Sequence, residues 1–420
     1  MFNRPEFAHV KHVLTGLALC ALLSGCGNKP DTQATPSSGC AASADTPVLS
    51  VPLERNGHWV VDAQGADGKT HRVLLDTGAT FNVLESQGPL AAAPLTPEAE
   101  TGFLRQGVLG ASIAGANLTV STLSDPKEFA LGLTPALRIQ NWSMPAGVPA
   151  LRGSLGRLAS ADDAPFEAII GNERMRELTW RADYVAGRLT AYATNEAPAH
   201  EWQQCALMTL DARTRMPAIQ INLDDTYNFF ILDTGYDGDV MLPQDLFDNL
   251  VKENKFAHVG TSSSIDATDR VVQRQQGLLA GLAIGQKQLP RLAVSGAAPE
   301  PRIGLGLLEK MDRFELDFRH FRFCFDLPAK PMDSTLETHS ALLRSGERYE
   351  VVALAPDGIL AVSGAQLGDQ ITTIDQTSVA NLDLAKVIDL LSAPTTREVT
   401  VLRGKRTLVI ELKPAQIKPA

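Results

Sequence analysis

Short apolar runs that end at a glycine-containing turn dominate the chain from about residue 48 onward. Val73-Leu74-Leu75 and Phe229 to Leu232 each run straight into Asp-Thr-Gly, and that length and bounding predict strands buried on both faces. Asn56-Gly57, Asp67-Gly68 and Gly285-Gln286 punctuate the pattern as hairpin turns. Helical spacing is rare in this stretch: Pro243 to Asn254 and the Leu-Leu-Glu-Lys-Met after Gly306 predict short helices and nothing longer. The pattern changes after Pro328-Ala329-Lys330-Pro331. Val351 to Leu354 predicts a strand, Leu382 to Ser392 carries apolar residues at helical spacing, and Val399 to Lys405 with Thr407 to Leu412 predicts a terminal hairpin. A mainly β body over roughly 48–327 and a small α+β module over 340–415 are expected.

A repeat organises the body. His71 to Glu85 (HRVLLDTGATFNVLE) is matched by Asn228 to Pro243 (NFFILDTGYDGDVMLP). Downstream of the first copy, Ile113-Ala114-Gly115-Ala116-Asn117-Leu118 matches Ile284-Gly285-Gln286-Lys287-Gln288-Leu289 downstream of the second. Ala168-Ile169-Ile170-Gly171 then matches Pro301-Arg302-Ile303-Gly304. Asp183-Tyr184-x3-Arg188-Leu189 matches Asp317-Phe318-x3-Arg322-Phe323 with the same internal spacing. A tripeptide of average-frequency residues occurs about 0.1 times by chance in a chain of this length. Two copies, each behind an apolar strand and ahead of three matching landmarks, are therefore a duplicated unit, with one part over 48–200 and the other over 201–328.

The 420 residues include 38 basic and 48 acidic side chains, 44% hydrophobic and 20% charged residues. That length allows two or three domains with real cores, and excludes wholesale disorder. The net charge of −10, with no long basic run, speaks against nucleic acid as a partner, since phosphate contact drives such binding. At the N-terminus, Arg4 and Lys11 precede the apolar stretch Val13 to Leu23, which is too short to span a bilayer and reads as the leader of an exported protein. Leu23-Ser24-Gly25-Cys26 resembles the bacterial lipobox, which implies cleavage of residues 1–25 and lipidation of Cys26. Gly27 after that Cys resembles an outer-membrane address. Residues 26–47, small, polar and Pro-containing, read as a tether. The setting expected is the cell envelope, facing the periplasm, with membrane contact through the lipid alone.

The two Asp-Thr-Gly blocks, each followed by a hydrophobic-hydrophobic-Gly, resemble the aspartic peptidases, in particular their retropepsin-like bacterial branch. The resemblance covers both parts, about 280 residues, and implies a bilobal pair of pepsin-like or retropepsin-like β-barrels in a single chain. Asp76 and Asp233 would then form the catalytic dyad. Two carboxylates a hydrogen bond apart cannot both ionise, so they share a proton; one deprotonates water while the other protonates the carbonyl of a peptide or protein substrate. Thr77 and Thr234 would bond across the lobes, and Gly78 and Gly235 would let water and substrate approach. Ala79-Thr80 fits the family pattern, whereas Tyr236-Asp237 departs from it and could narrow the cleft. Within those lobes Cys205 lies in the opening strand of the second and Cys324 in its closing strand; terminal strands of one lobe are often neighbours, so a Cys205–Cys324 disulfide is expected. The competing reading is a pseudo-peptidase that holds peptides without cleaving them.

Other chemistries are poorly supported. There is no Gly-x-Ser-x-Gly elbow and no His-Glu-x-x-His helix, and the cysteine spacing fits no zinc pattern, so neither metal nor cofactor is expected. His58, His71, His200, His258, His320 and His339 are scattered, as solvated residues are. The C-terminal module resembles a bacterial PDZ domain, whose Leu-x-x-Gly-Asp-x-Ile signature is nearly met at Leu367 to Ile371. Such domains bind an extended peptide as an added strand. The usual carboxylate-binding loop is missing, with Arg344-Ser345-Gly346-Glu347 as the nearest candidate, so the module either captures a peptide ligand or braces the body.

Overall fold

The repeat seen in the sequence is a repeat of strand order. The computed structural model describes residues 46–55, 57–86, 88–90, 111–114, 117–122, 125–155, 166–193, 197–212, 214–223, 226–265, 271–336, 339–415 and 418–419. The leader at 1–25, Cys26 and the tether up to residue 45 lie outside them. Strand accounts for 47% and helix for 10%, so the chain is mainly β, with a curled half-barrel sheet and two others.

In one sheet, Thr70–Asp76 lies between Val60–Gly65, antiparallel to it, and Ala168–Gly171, parallel to it. Ala168–Gly171 also runs antiparallel to Asn82–Glu85, which pairs in parallel with Pro149–Gly153. In the largest sheet, Thr226–Leu232 lies between Pro217–Leu223, antiparallel, and Arg302–Ile303, parallel. Arg302–Ile303 runs antiparallel to Val240–Met241, which pairs in parallel with Leu292–Ser295. The order and the directions coincide. Parallel strands in a sheet are normally covered on both faces, and all four residues of Ala168–Gly171 are buried.

The outer strands correspond as well. Asp125–Leu133 and Asn117–Thr122 extend the first set as Val271–Leu279 and Phe256–Ile265 extend the second. The last slot of the first set is Ala111–Ala114; that of the second is filled by Lys418–Pro419, from the far end of the chain.

Two turn assignments need correction. The hairpin Ala283–Ile284 with Lys287–Gln288 pairs with Pro217–Leu223, and the equivalent pairing in the first half belongs to Leu137–Ile139 with Trp142–Met144. The counterpart of Ile284-Gly285-Gln286-Lys287 is therefore Ile139-Gln140-Asn141-Trp142, not the segment from Ile113. Gln140 takes the left-handed conformation that Gly285 takes, at φ 51° and 59° respectively. A glycine in the first turn drew the sequence match to the wrong hairpin. Asn56 of the expected Asn56-Gly57 hairpin lies outside the described residues, and the strands that flank it pair elsewhere, Leu49–Pro52 with Arg188–Ala193 and Val60–Gly65 with Thr70–Asp76.

The halves join edge to edge. Asp183 to Arg188 and Asp317 to Arg322 are the turns of two hairpins, Leu178–Asp183 with Arg188–Ala193 and Arg313–Asp317 with Arg322–Asp326. Asp183 Oδ1 accepts from the amides of Val185 and Ala186, and Asp317 Oδ1 from that of His320, which explains the Asp at the head of each motif. The hairpins pair antiparallel with Arg181 opposite Glu315 at the centre, where the guanidinium donates to Glu315 Oε2 from Nε at 3.0 Å and Nη2 at 2.5 Å. Trp59, Trp180, Phe314 and Phe323 pack in contact there, with Trp59 and Phe314 stacked at 5.8 Å, so the join is a shared aromatic core.

The remaining six-stranded sheet has its own core around Tyr349, Val351, Ile371, Val387 and Val401. Its Leu384–Ser392 helix is capped by Asp383, whose carboxylate accepts from the Lys386 amide. Arg344 to Glu347, offered above as a carboxylate loop, is the tight turn between Ala341–Ser345 and Arg348–Ala353, with Gly346 at φ 64°. The Arg344 guanidinium donates to the Ala380 and Leu382 carbonyls inside this sheet's own fold. Among the described residues, hydrogen bonds join it to the Phe256–Ile265 and Val271–Leu279 hairpin of the body. The Ser263 amide donates to the His339 carbonyl at 2.8 Å, Gln273 Nε2 to the Leu354 carbonyl at 2.8 Å, and Thr261 Oγ1 to Asp357 at 3.5 Å.

Candidate active site

Each Asp-Thr-Gly sits where an apolar strand ends beside its parallel partner: Gly171 pairs with Asp76, and the Asp233 amide donates to the Ile303 carbonyl at 2.9 Å. The two turns face each other and interlock through their threonines, both fully buried. Thr77 Oγ1 accepts from the Thr234 amide at 3.1 Å and donates to the Leu232 carbonyl at 2.7 Å. Thr234 Oγ1 accepts from the Thr77 amide at 3.0 Å and donates to the Leu75 carbonyl at 3.0 Å. Each hydroxyl thus satisfies one donor and one acceptor of the opposite strand, which only a side chain with both functions can do. Around this centre Thr80 Oγ1 donates to the Thr214 carbonyl and Asn172 Nδ2 to that of Arg215, tying the halves again.

The carboxyl of Asp233 stands close enough to that of Asp76 to raise its pKa. Asp76 Oδ1 accepts from the Gly78 amide at 2.7 Å and Asp233 Oδ1 from the Gly235 amide at 3.1 Å. A Cβ on Gly78 would lie 2.1 Å from the Asp233 carboxyl, and one on Gly235 would lie 2.4 Å from that of Asp76. Asp233 is buried at 5% exposure, while Asp76 keeps some access to solvent. Desolvation, reinforced by the neighbouring Asp233, pushes the Asp76 carboxyl up to about 8, against the Gly78 amide and Arg302, which act in the other direction. The proton that Asp76 retains belongs to the pair and not to either residue alone.

One functional contact escaped the sequence reading. Arg302 Nη1 donates to Asp233 Oδ2 at 2.6 Å, and Glu300 lies 3.9 Å from the same guanidinium. Its signal in the sequence is a cation at a position that is isoleucine in the other copy of the repeat. Tyr236, the departure from the family pattern, hydrogen-bonds through its hydroxyl to Ser295 Oγ at 2.8 Å, and burial raises its pKa. That hydroxyl is committed to the second half's own strand.

The histidines are not uniformly solvated. His71 is 2% exposed, with Nδ1 2.6 Å from Glu167 and Nε2 3.3 Å from Asp67, because its strand turns it under the first half. His200 and His320 pair with Asp326 and Asp317. Cys205 and Cys324 face each other across the antiparallel pair Gln204–Leu210 and Arg322–Asp326 and are bonded, with Cα atoms 4.0 Å apart. No protein-family model and no curated protein sequence matches the chain.

Proposed function

We propose that this chain is a retropepsin-like aspartic endopeptidase with its two lobes in one polypeptide. The observation that carries this reading is the reciprocal seating of the two Asp-Thr-Gly turns, each glycine beneath the other turn's carboxyl. A scaffold has no physical need for two facing carboxyls, whose burial costs several kcal/mol unless it is compensated. A pair that shares one proton can instead deprotonate a water and protonate a peptide carbonyl in the same step. The six-stranded module is proposed as PDZ-like, and the protein as a lipoprotein anchored at Cys26 in the cell envelope. A Cys205–Cys324 disulfide suits the oxidising conditions there.

The test is a peptide library incubated with the purified chain from residue 48 onward, from acidic to mildly alkaline pH, with cleavage read by mass spectrometry. Asp76→Asn and Asp233→Asn should each abolish cleavage, with no further loss in the double variant. Full activity in either single variant would sink the two-lobe mechanism.

A second reading, a peptide-holding protein without turnover, has one observation in its favour: the Arg302 guanidinium already occupies an oxygen of Asp233. Peptides retained intact by the wild-type protein at every pH would favour it.

A further inference from the structure

We infer that Arg302 divides the labour of the two carboxyls, holding the negative charge on Asp233 and leaving the shared proton on Asp76. Its consequence at the scissile bond rests on the peptidase reading above; the arrangement of charge does not.

The duplicated strand order makes the asymmetry visible. Ile169 pairs with Leu74 and Arg302 with Ile231, at the same step of the same parallel ladder, opposite the residue two positions before each turn's aspartate. In the first half that position is apolar, and Ile169 packs with Leu74, Leu155 and Phe166. In the second it carries a guanidinium, 18% exposed, against a carboxylate 7% exposed. The two aspartates, at equivalent places in the repeat, therefore differ by one fixed cation as well as in exposure, Asp233 being the more buried. A charge-assisted bond of this length in a site with little water favours the ionised form of the group it touches.

The other charges near the pair do not restore the symmetry. Glu300 lies 3.9 Å from the Arg302 guanidinium. Asp239, beyond the second turn, is bridged by Lys310 at 2.8 Å, and Arg174 on the short Asn172–Met175 helix is paired with Glu177. The Asp233 charge raises the pKa of Asp76 and that of Arg302 lowers it.

The division of roles gives a balanced cycle. Asp233 takes a proton from the attacking water, the water oxygen bonds to the carbonyl carbon, and Asp76 gives its proton to the carbonyl oxygen, leaving a neutral diol. Asp233 then passes its proton to the amide nitrogen as the C–N bond breaks, and Asp76 recovers one from the collapsing diol. One water is consumed and both carboxyls return to their starting states. Arg302 touches no reacting atom; it is a positioning residue.

The experiment is a titration of ¹³C-carboxyl-labelled aspartate by NMR on the full-length folded chain, with Asp76→Asn and Asp233→Asn assigning the signals. Near neutral pH the wild type should show Asp233 ionised and Asp76 protonated. Arg302→Ile, which installs the first-half residue, should move both ionisation steps of the pair upward by about one pH unit or more, and Arg302→Lys should keep them close to wild type. The limbs of the kcat–pH profile should move in the same direction. A wild type with its proton on Asp233, or steps unmoved in Arg302→Ile with a uniformly lower rate, would overturn the assignment. If Arg302→Ile does not fold, the wild-type and Arg302→Lys titrations decide. The expected titration in a protein that cuts no peptide would keep the charge assignment and remove the peptidase.

Discussion

Gly235 lies directly beneath the carboxyl of Asp76, so close that a Cβ on it would come within 2.4 Å of that group. Real Cβ contacts do not reach that distance, so an added methyl must displace the carboxyl or the turn by about 1 Å. Misplacement on that scale costs on the order of 100-fold in rate. Gly235→Ala and Gly78→Ala should each lower kcat/KM by about that factor or more, with the change in carboxyl separation visible in a crystal structure. Wild-type rates in either variant would remove the requirement for close approach.

The threonines make a different prediction. Thr77→Val keeps the shape of the side chain but leaves the Leu232 carbonyl and the Thr234 amide without their buried partner. A stranded buried group costs about 1–3 kcal/mol, and the loosened turns should lose activity as well. Thr77→Ser, which retains the hydroxyl, should stay near wild type in denaturant midpoint and rate. Equal behaviour of the two variants would mean that shape, and not hydrogen bonding, holds the turns together.

Much of this site was legible in the sequence because it repeats. Asp76, Thr77 and Gly78 found their partners through a second copy, and the Asp183 and Asp317 hairpins through identical spacing. Arg302 was not legible in that way, since its contact with Asp233 spans 69 residues and arises only when two strand ends lie side by side. The match of Ile113 to Ile284 failed for the opposite reason: a glycine turn is common enough to pair with the wrong hairpin. Lys418–Pro419 completing the second half's edge has no local signal at all.

The raised carboxyl of Asp76 has a thermodynamic signature. Its ordinary value is 3.8 and its folded value about 8, so between these the folded chain binds one more proton than the unfolded chain. Stability must therefore fall as pH rises through that window and level off above it. Asp76→Asn removes the cost of charging and should raise Tm at neutral to mildly alkaline pH, by about 2–4 °C for each kcal/mol gained, with little gain near pH 4. Calorimetry of both proteins across pH checks this; a gain of equal size at every pH would mean that the substitution acts through packing.

Deletion from about residue 333 tests the C-terminal module. It removes the links from His339, Leu354 and Asp357 to the body and also the strand Lys418–Pro419 from its edge. Tm should drop, and cleavage of long and short substrates should fall together. A KM raised for protein substrates alone, with short peptides cut as before, would instead mean that the module captures substrate, because a second site raises effective concentration only for chains that reach both.

The seam between the halves also governs partner choice. Arg181 and Glu315 occupy the same place in the repeat and meet at its centre. Two copies of the first half would set arginine against arginine there, and two copies of the second glutamate against glutamate; only unlike halves put opposite charges face to face. Like-charge contact at a partly buried centre disfavours both self-associated forms, so complementarity across this one pair selects the mixed assembly. A symmetric dimer of either half is thereby discouraged by its own central residue, and the polypeptide that carries both halves is the form in which this seam is satisfied.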